Sequence, residues 1–230
     1  VTVSLNARSL PMPSDLVLLD PLIDAAALPP MIAPARTALV IIDVQEDFVS
    51  PAGAAGRWGV DLAALEPPLQ KIEALIAAAR AAGVTLAYIR VLTRPETDSD
   101  ALKALHRRKG LPPQAVAICR AGTSGADYYR IRPQAGDIEI QKPLYSSFIG
   151  TDFDARLRAR GVDTLVVVGF TTDCCVDCTV RDAFHRNYDV FVVTDACAAY
   201  EQDLHIGALN GLSKNCAMLT DTAAVLSAWA

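Results

Sequence analysis

Apolar and polar positions fall into blocks of two lengths along this chain. Short, largely apolar runs over residues 38–42, 84–91, 138–140, 164–168, 190–193 and 216–219 have the length and β-branched content of buried strands. Longer segments carry the helical period instead. Over 61–82, Leu62, Leu65, Leu69, Ile72, Leu75, Ile76 and Ala79 share one stripe, and Gly83 follows as a stop. Further helices are predicted over 102–108, 152–160 with Thr151 as a cap, 176–187, 201–213 and 221–229. Strand and helix alternate, so the expectation is an α/β fold. It is a single three-layer domain over 37–230, with a mainly parallel sheet of about six strands and helices on both faces. Residues 1–36 carry Pro11, Pro13, Pro21, Pro29, Pro30 and Pro34 and no clear period. They predict an arm that wraps its own domain or a neighbouring subunit, with a loose tail as the alternative. The stretch 94–136 is long, polar and poorly patterned.

Composition narrows the class. The chain has 230 residues, 52% hydrophobic and 20% charged, with a net charge of −5. No basic run suggests nucleic acid, and no apolar stretch approaches a membrane span. The first residues lack the basic start and apolar core of a secretory signal, and crowded cysteines unsuited to a secreted disulfide framework make a reducing cytoplasm the expected location. Of six cysteines, Cys174, Cys175 and Cys178 lie within five residues, too close to staple a fold. They also make a poor zinc site, because adjacent cysteines rarely chelate one ion and no second knuckle accompanies them. No glycine-rich phosphate cradle is present, and no metal or cofactor is expected. His106, His185 and His205 are scattered without ligand spacing and read as structural. Arg94, Arg107 and Arg108 read as a solvated face, with a contact to a substrate carboxylate as the other reading.

In open α/β sheets, ligands bind beyond the carboxyl ends of the strands. Three chemical groups sit at such ends: Asp43, Lys142 and Cys175. A thiol between a strand and a helix meets backbone N–H groups and the positive end of a helix dipole. Asp43 can take its proton and return it to a leaving group, and Lys142 adds a charge that favours both anions. These parts suit attack on a carbonyl, a thioester intermediate and hydrolysis by water.

Three segments carry a resemblance. They are residues 38–48 (ALVIIDVQEDF), 142–148 (KPLYSSF) and 169–183 (GFTTDCCVDCTVRDA). In order and spacing they resemble the isochorismatase-like cysteine hydrolase superfamily, from about residue 36 to the end. The resemblance implies a catalytic triad of Asp43, Lys142 and Cys175, with Cys175 chosen over Cys174 because it precedes Val176. It also implies a cis peptide between Phe170 and Thr171, an oxyanion hole from the N–H groups of Thr171 and Cys175, and a homodimer or homotetramer. Nicotinamidases of the superfamily carry a histidine metal site after the second strand. Here residues 88–94 read YIRVLTR, with no histidine before His106. True isochorismatases lack the nucleophilic cysteine. The segment Gln141 to Phe148 looks closest to ureidoacrylate, biuret and carbamoyl-sarcosine amidohydrolases, which implies a small amide or ureido substrate and cleavage of a C–N bond. Gln45, Phe48, Trp58, Tyr145 and Phe170 are the expected substrate contacts. Two other readings stay open: a hydrolase of this fold acting on an unrelated amide, and a non-enzymatic redox or interaction protein.

Overall fold

The computed structural model describes residues 16–230. Strands β1 (Thr37–Ile42), β2 (Thr85–Val91), β3 (Ile138–Lys142), β4 (Thr164–Phe170), β5 (Asp189–Ala198) and β6 (Met218–Thr220) form one sheet. Their order is β3-β2-β1-β4-β5-β6, and every neighbouring pair is parallel. The longer helices are α1 (Glu66–Ala82), α2 (Asp100–Arg108), α3 (Phe153–Arg158), α4 (Asp177–Phe184), α5 (Gln202–Asn215) and α6 (Thr222–Ala228).

Alternation along β1 assigns its side chains to two cores. Leu39 and Ile41 pack with Leu69, Ile72 and Leu75 of α1 and with Val225 of α6. Ala38, Val40 and Ile42 pack with Leu157 of α3, Val180 of α4 and Leu209 of α5. Both faces of the sheet are thus covered, which is why β1 and β4 are buried at every position.

Strand order runs outward from β1 in both directions, so the switch point lies between β1 and β4. Gly169 makes their approach there unusually close. It sits at φ +125°, and a Cβ built on it would lie 2.1 Å from the Ile42 carbonyl oxygen. Only glycine fits that backbone and that gap.

Three elements differ from the sequence pattern, each for a visible reason. β5 runs to Ala198, five residues beyond the apolar run, because its pairing with β4 resumes at Cys197 after an irregularity between Val167 and Gly169. The polar residues Thr194 and Asp195 that ended the run serve as anchors, Asp195 accepting from Thr222 N–H at 2.9 Å and pairing with Lys71 at 2.8 Å. The helix expected from residue 176 is preceded by a wide π turn, Thr172–Val176, with α4 proper starting at Asp177. Finally, Pro29 and Pro30 do not break structure; they occupy the first turn of a short helix, Leu28–Met31, where their missing N–H groups cost nothing. Leu28 and Ile32 are wholly buried, and the Trp229 indole donates to the Ile32 carbonyl at 3.1 Å. Asp20 reaches Ser213 and Lys214 on α5, so residues from Val17 onward lie against their own domain. Residues 1–15 of the expected arm lie outside the described residues. Among the described residues no helix is long and apolar enough to cross a membrane.

Candidate active site

Asp43 follows β1 directly, with backbone φ +53°, a conformation that aspartate tolerates better than most residues. Its N–H donates to Ile89 of β2 at 3.0 Å, which fixes where the carboxylate stands. Lys142 ends β3, two strands away, and its chain crosses the end of β2 to arrive there. Its Nζ donates to Asp43 Oδ2 at 2.7 Å, to the Tyr145 carbonyl at 2.6 Å and to the Leu144 carbonyl at 3.2 Å. All three ammonium protons are thereby used, and both side chains are fully buried. Asp43 Oδ1 is left buried without a hydrogen-bond partner. Cys175, in the π turn after β4, interacts with this carboxylate.

The local folding that holds these groups is traceable. The Thr171 carbonyl accepts from Cys174 N–H at 3.2 Å and Val176 N–H at 3.1 Å, winding the turn under the thiol. Thr172 Oγ1 meets His205 Nδ1 of α5 at 2.8 Å, pinning the same turn from outside. Ser147 N–H donates to Thr179 Oγ1 at 3.1 Å, tying the segment after Lys142 to α4. The peptide between Phe170 and Thr171 is cis.

Burial dominates the electrostatics. It pushes the Asp43 carboxyl above the usual carboxylate range, against the opposing pull of Lys142. Burial also works against the Lys142 ammonium, but Asp43 and Cys175 outweigh it and the amine holds its proton more tightly than usual. The Cys174 sulfur, burial and the Asp43 charge together push the Cys175 thiol well up. Cys174 moves the other way, down, chiefly through its contact with Cys175. The two sulfurs interact directly, and the Asp43 charge beside Cys175 disfavours a second anion there.

Over this cluster opens a cavity of about 210 Å³. Thr171, Cys175, Phe48, Trp58 and Tyr145 line it, the indole of Trp58 standing largely exposed at 59%. Gln45 and Phe170 do not, contrary to the sequence reading. The Gln45 amide is buried and spent on backbone: it donates to the Val91 and Ala126 carbonyls and accepts from Val91 N–H at 2.7 Å. Its work is to clamp the end of β1 to the end of β2. Phe170 points into the core on the α1 side of the sheet.

Several participants were missed in the sequence. Leu102 and His106 of α2 line the cavity, and so does Tyr200, whose hydroxyl donates to the Phe48 carbonyl at 3.0 Å. Leu102 and His106 are four apart on a helix and so share a face, a spacing that was available to reading. Asp47 accepts from Ala54 N–H at 2.9 Å and Cys119 N–H at 2.7 Å, gathering loops around the cavity. Asp47 lies in the 38–48 segment that carries the resemblance, but that segment alone does not reveal this bracing role.

A buried cysteine, aspartate and lysine at the switch point of a parallel α/β sheet define a hydrolase-type site. The isochorismatase domain model matches residues 37–224, and the chain belongs to the isochorismatase-like hydrolase family. It is 36% identical over 208 residues to the ureidoacrylate amidohydrolase RutB of Methylobacterium radiotolerans, covering 85% of this chain and 80% of that protein. The ureidoacrylate amidohydrolase RutB of Azorhizobium caulinodans is 35% identical over 180 residues, covering 73% and 78%. Among solved structures, a cysteine hydrolase from Pseudomonas syringae pv. phaseolicola superposes with a TM-score of 0.77 at 30% identity, over 92% of this chain and 98% of that one. An N-carbamoylsarcosine amidase from Thermoplasma acidophilum gives 0.64 at 29% identity, over 81% and 96%.

Proposed function

We propose that this chain is a cysteine amidohydrolase that cleaves a C–N bond of a small amide, ureido or carbamoyl compound through a thioester. The observation that carries this reading is the division of labour within one carboxylate. Asp43 Oδ2 is held by Lys142, while Oδ1 is buried without a partner, and Cys175 interacts with the same carboxylate. An unpaired buried acceptor is costly, and a thiol proton is what it can accept.

Cys175 sulfur attacks the carbonyl carbon as its proton passes to Asp43. The carbonyl electrons move to oxygen, which the N–H groups of Thr171 and Cys175 receive. As the tetrahedral centre collapses, Asp43 gives its proton to the leaving nitrogen, and ammonia or an amine departs. Water, deprotonated by Asp43, then attacks the thioester, and the proton returns to sulfur as the acid is released; a carbamic acid product loses carbon dioxide. Lys142 holds Asp43 in place throughout, and its charge favours the ionised carboxylate each time Asp43 must take up a proton. The relatives named as amidohydrolases, a cysteine hydrolase and a carbamoylsarcosine amidase support this chemistry. Six free thiols suit a reducing cytoplasm. We assign a homodimer or homotetramer by family resemblance.

The test is labelling and trapping. Mass spectrometry during turnover of an amide panel should find an acyl group on Cys175, and none on Cys174 or Cys178, with ammonia released; iodoacetamide labelling of Cys175 should be blocked while that acyl group is in place. Turnover with no acyl adduct on Cys175, or with full activity in Cys175→Ser, would overturn the reading.

A further inference from the structure

The cavity over Cys175 has a wall that bears on which substrates can enter it. Phe48, Trp58, Leu102, Ile118, Leu144 and Tyr145 are among its lining residues, and the wall is mainly apolar. Among the described residues no Lys, Arg, Asp or Glu lines it. His106 is the one histidine on the wall among the described residues, with its Nδ1 buried and unpartnered; the Lys and Arg side chains nearby are committed or stand elsewhere. Lys142 has its three protons on Asp43, Leu144 and Tyr145. Lys103, Arg107 and Arg120 line a second cavity, of about 480 Å³, and only His106 and Val116 border both spaces. Arg120 is further clamped to Asp98 by two hydrogen bonds of 2.9 Å.

A carboxylate entering the cavity over Cys175 would shed its water with no Lys or Arg to replace it, and would stand close to the ionised Asp43. An apolar group faces no such cost and gains by burial. Size sets a second limit. A protein cavity of roughly 150 Å³ accepts benzene. At about 210 Å³, this one has room for a ring or a branched alkyl group with a carboxamide attached.

On these grounds, and resting on the amidohydrolase reading above, we infer that the substrate is an uncharged amide or ureide whose non-reacting end is an aromatic ring or compact alkyl group. Carboxylate-bearing ureides are selected against. The chain would then differ in substrate from relatives whose name specifies an acrylate, a carboxylate.

Matched pairs test this directly on the wild-type enzyme: phenylurea against 4-ureidobenzoate, and propylurea against 3-ureidopropionate, followed by ammonia release and by acylation of Cys175. The neutral member of each pair should have the higher kcat/KM, by about tenfold or more. Leu102→Arg, which puts a cation on the wall, should narrow or reverse the ratio. Equal or faster turnover of the carboxylate members by the wild type, with Cys175 acylated, would overturn the specificity and leave the amidohydrolase reading intact. If no compound acylated Cys175 or released ammonia, both would fall. If Leu102→Arg does not fold, the wild-type ratios decide alone.

Discussion

Two ion pairs in this molecule have nearly the same length and almost nothing else in common. Lys142 and Asp43 meet at 2.7 Å with neither side chain exposed. Arg130 meets Glu73 at 2.6 Å and Glu66 at 2.8 Å on the outer surface of α1, with the glutamates 37% and 50% exposed. At the surface, water would solvate each partner almost as well as the other partner does, and side-chain entropy and salt take most of the gain. Under the cavity no water competes, so each charge depends on its neighbours for solvation. Such a pair is weak support for stability as such, because two charges had to be buried to make it. What it provides is a carboxylate held in one orientation with one oxygen free, which is the requirement of a proton acceptor.

The largest effect should come from removing that acceptor. Asp43→Asn is expected to lower kcat by about 10²–10⁴-fold, the usual contribution of general acid–base catalysis. The pH profile gives the sign. Burial raises the Asp43 pKa, so as pH falls the carboxylate takes up a proton earlier than an ordinary aspartate at ~3.9 would. Below its pKa it cannot accept the thiol proton, so kcat/KM should fall on the acid side with a midpoint above that ordinary value. The Asn variant should lose this limb. A limb at or below the ordinary value in the wild type would assign it to another group.

Next in size is Lys142→Met, which leaves Asp43 buried without its cation. Unfolding in urea should show a loss of about 3–5 kcal/mol. The double variant Asp43→Asn/Lys142→Met should recover much of it, because the cost lies in the stranded charge and not in the missing bond. If the single and double variants were equally unstable, the loss would belong to packing of the lysine chain.

The same contrast explains what was legible in the sequence. β1 and β4 could be read because strands buried on both faces must be apolar throughout, and the meeting of Asp43, Lys142 and Cys175 could be read because a parallel sheet gathers strand ends at one rim. The failures lie where a side chain's role is set by contacts distant in sequence. Gln45 stood between two site residues and looked like a substrate contact, yet its amide clamps backbone at Val91 and Ala126. Phe170 lies next to the cis peptide, but strand alternation turns it into the opposite core. His205 carried no motif and still holds Thr172 in the turn that carries Cys175. β5 was read short because Thr194 and Asp195 interrupt its apolar run, and only the pairing with β4 shows why the strand continues. Strand identity is a local property of composition, whereas cavity walls are made by loops whose meeting point no local pattern encodes.

A smaller effect sharpens the comparison through backbone. Gly169→Ala would drive a Cβ to within 2.1 Å of the Ile42 carbonyl oxygen, at a φ that alanine resists. The strands must part, at a cost of about 1–3 kcal/mol. Because Asp43 follows Ile42 and the cysteine turn follows β4, the same displacement separates acceptor from thiol. Activity should therefore fall while the urea midpoint falls only modestly. Full activity with reduced stability would show that the rim tolerates slack.

The smallest effect belongs to the surface pair. Arg130→Ala removes contacts to Glu66 and Glu73 at once. It should nevertheless shift the melting temperature by about 2 °C or less. Kinetic constants should not change, because α1 packs against the face of the sheet away from Cys175. Even this small shift should fade in ~1 M salt, where screening acts within about 3 Å. Under the same salt the loss from Lys142→Met should persist, since ions do not reach a fully buried carboxylate. Salt dependence therefore separates the two pairs more cleanly than bond length does. A salt-sensitive Lys142→Met variant would mean that water enters beneath the cavity, and with it the argument for a solitary, unsolvated proton acceptor at Asp43 would fail.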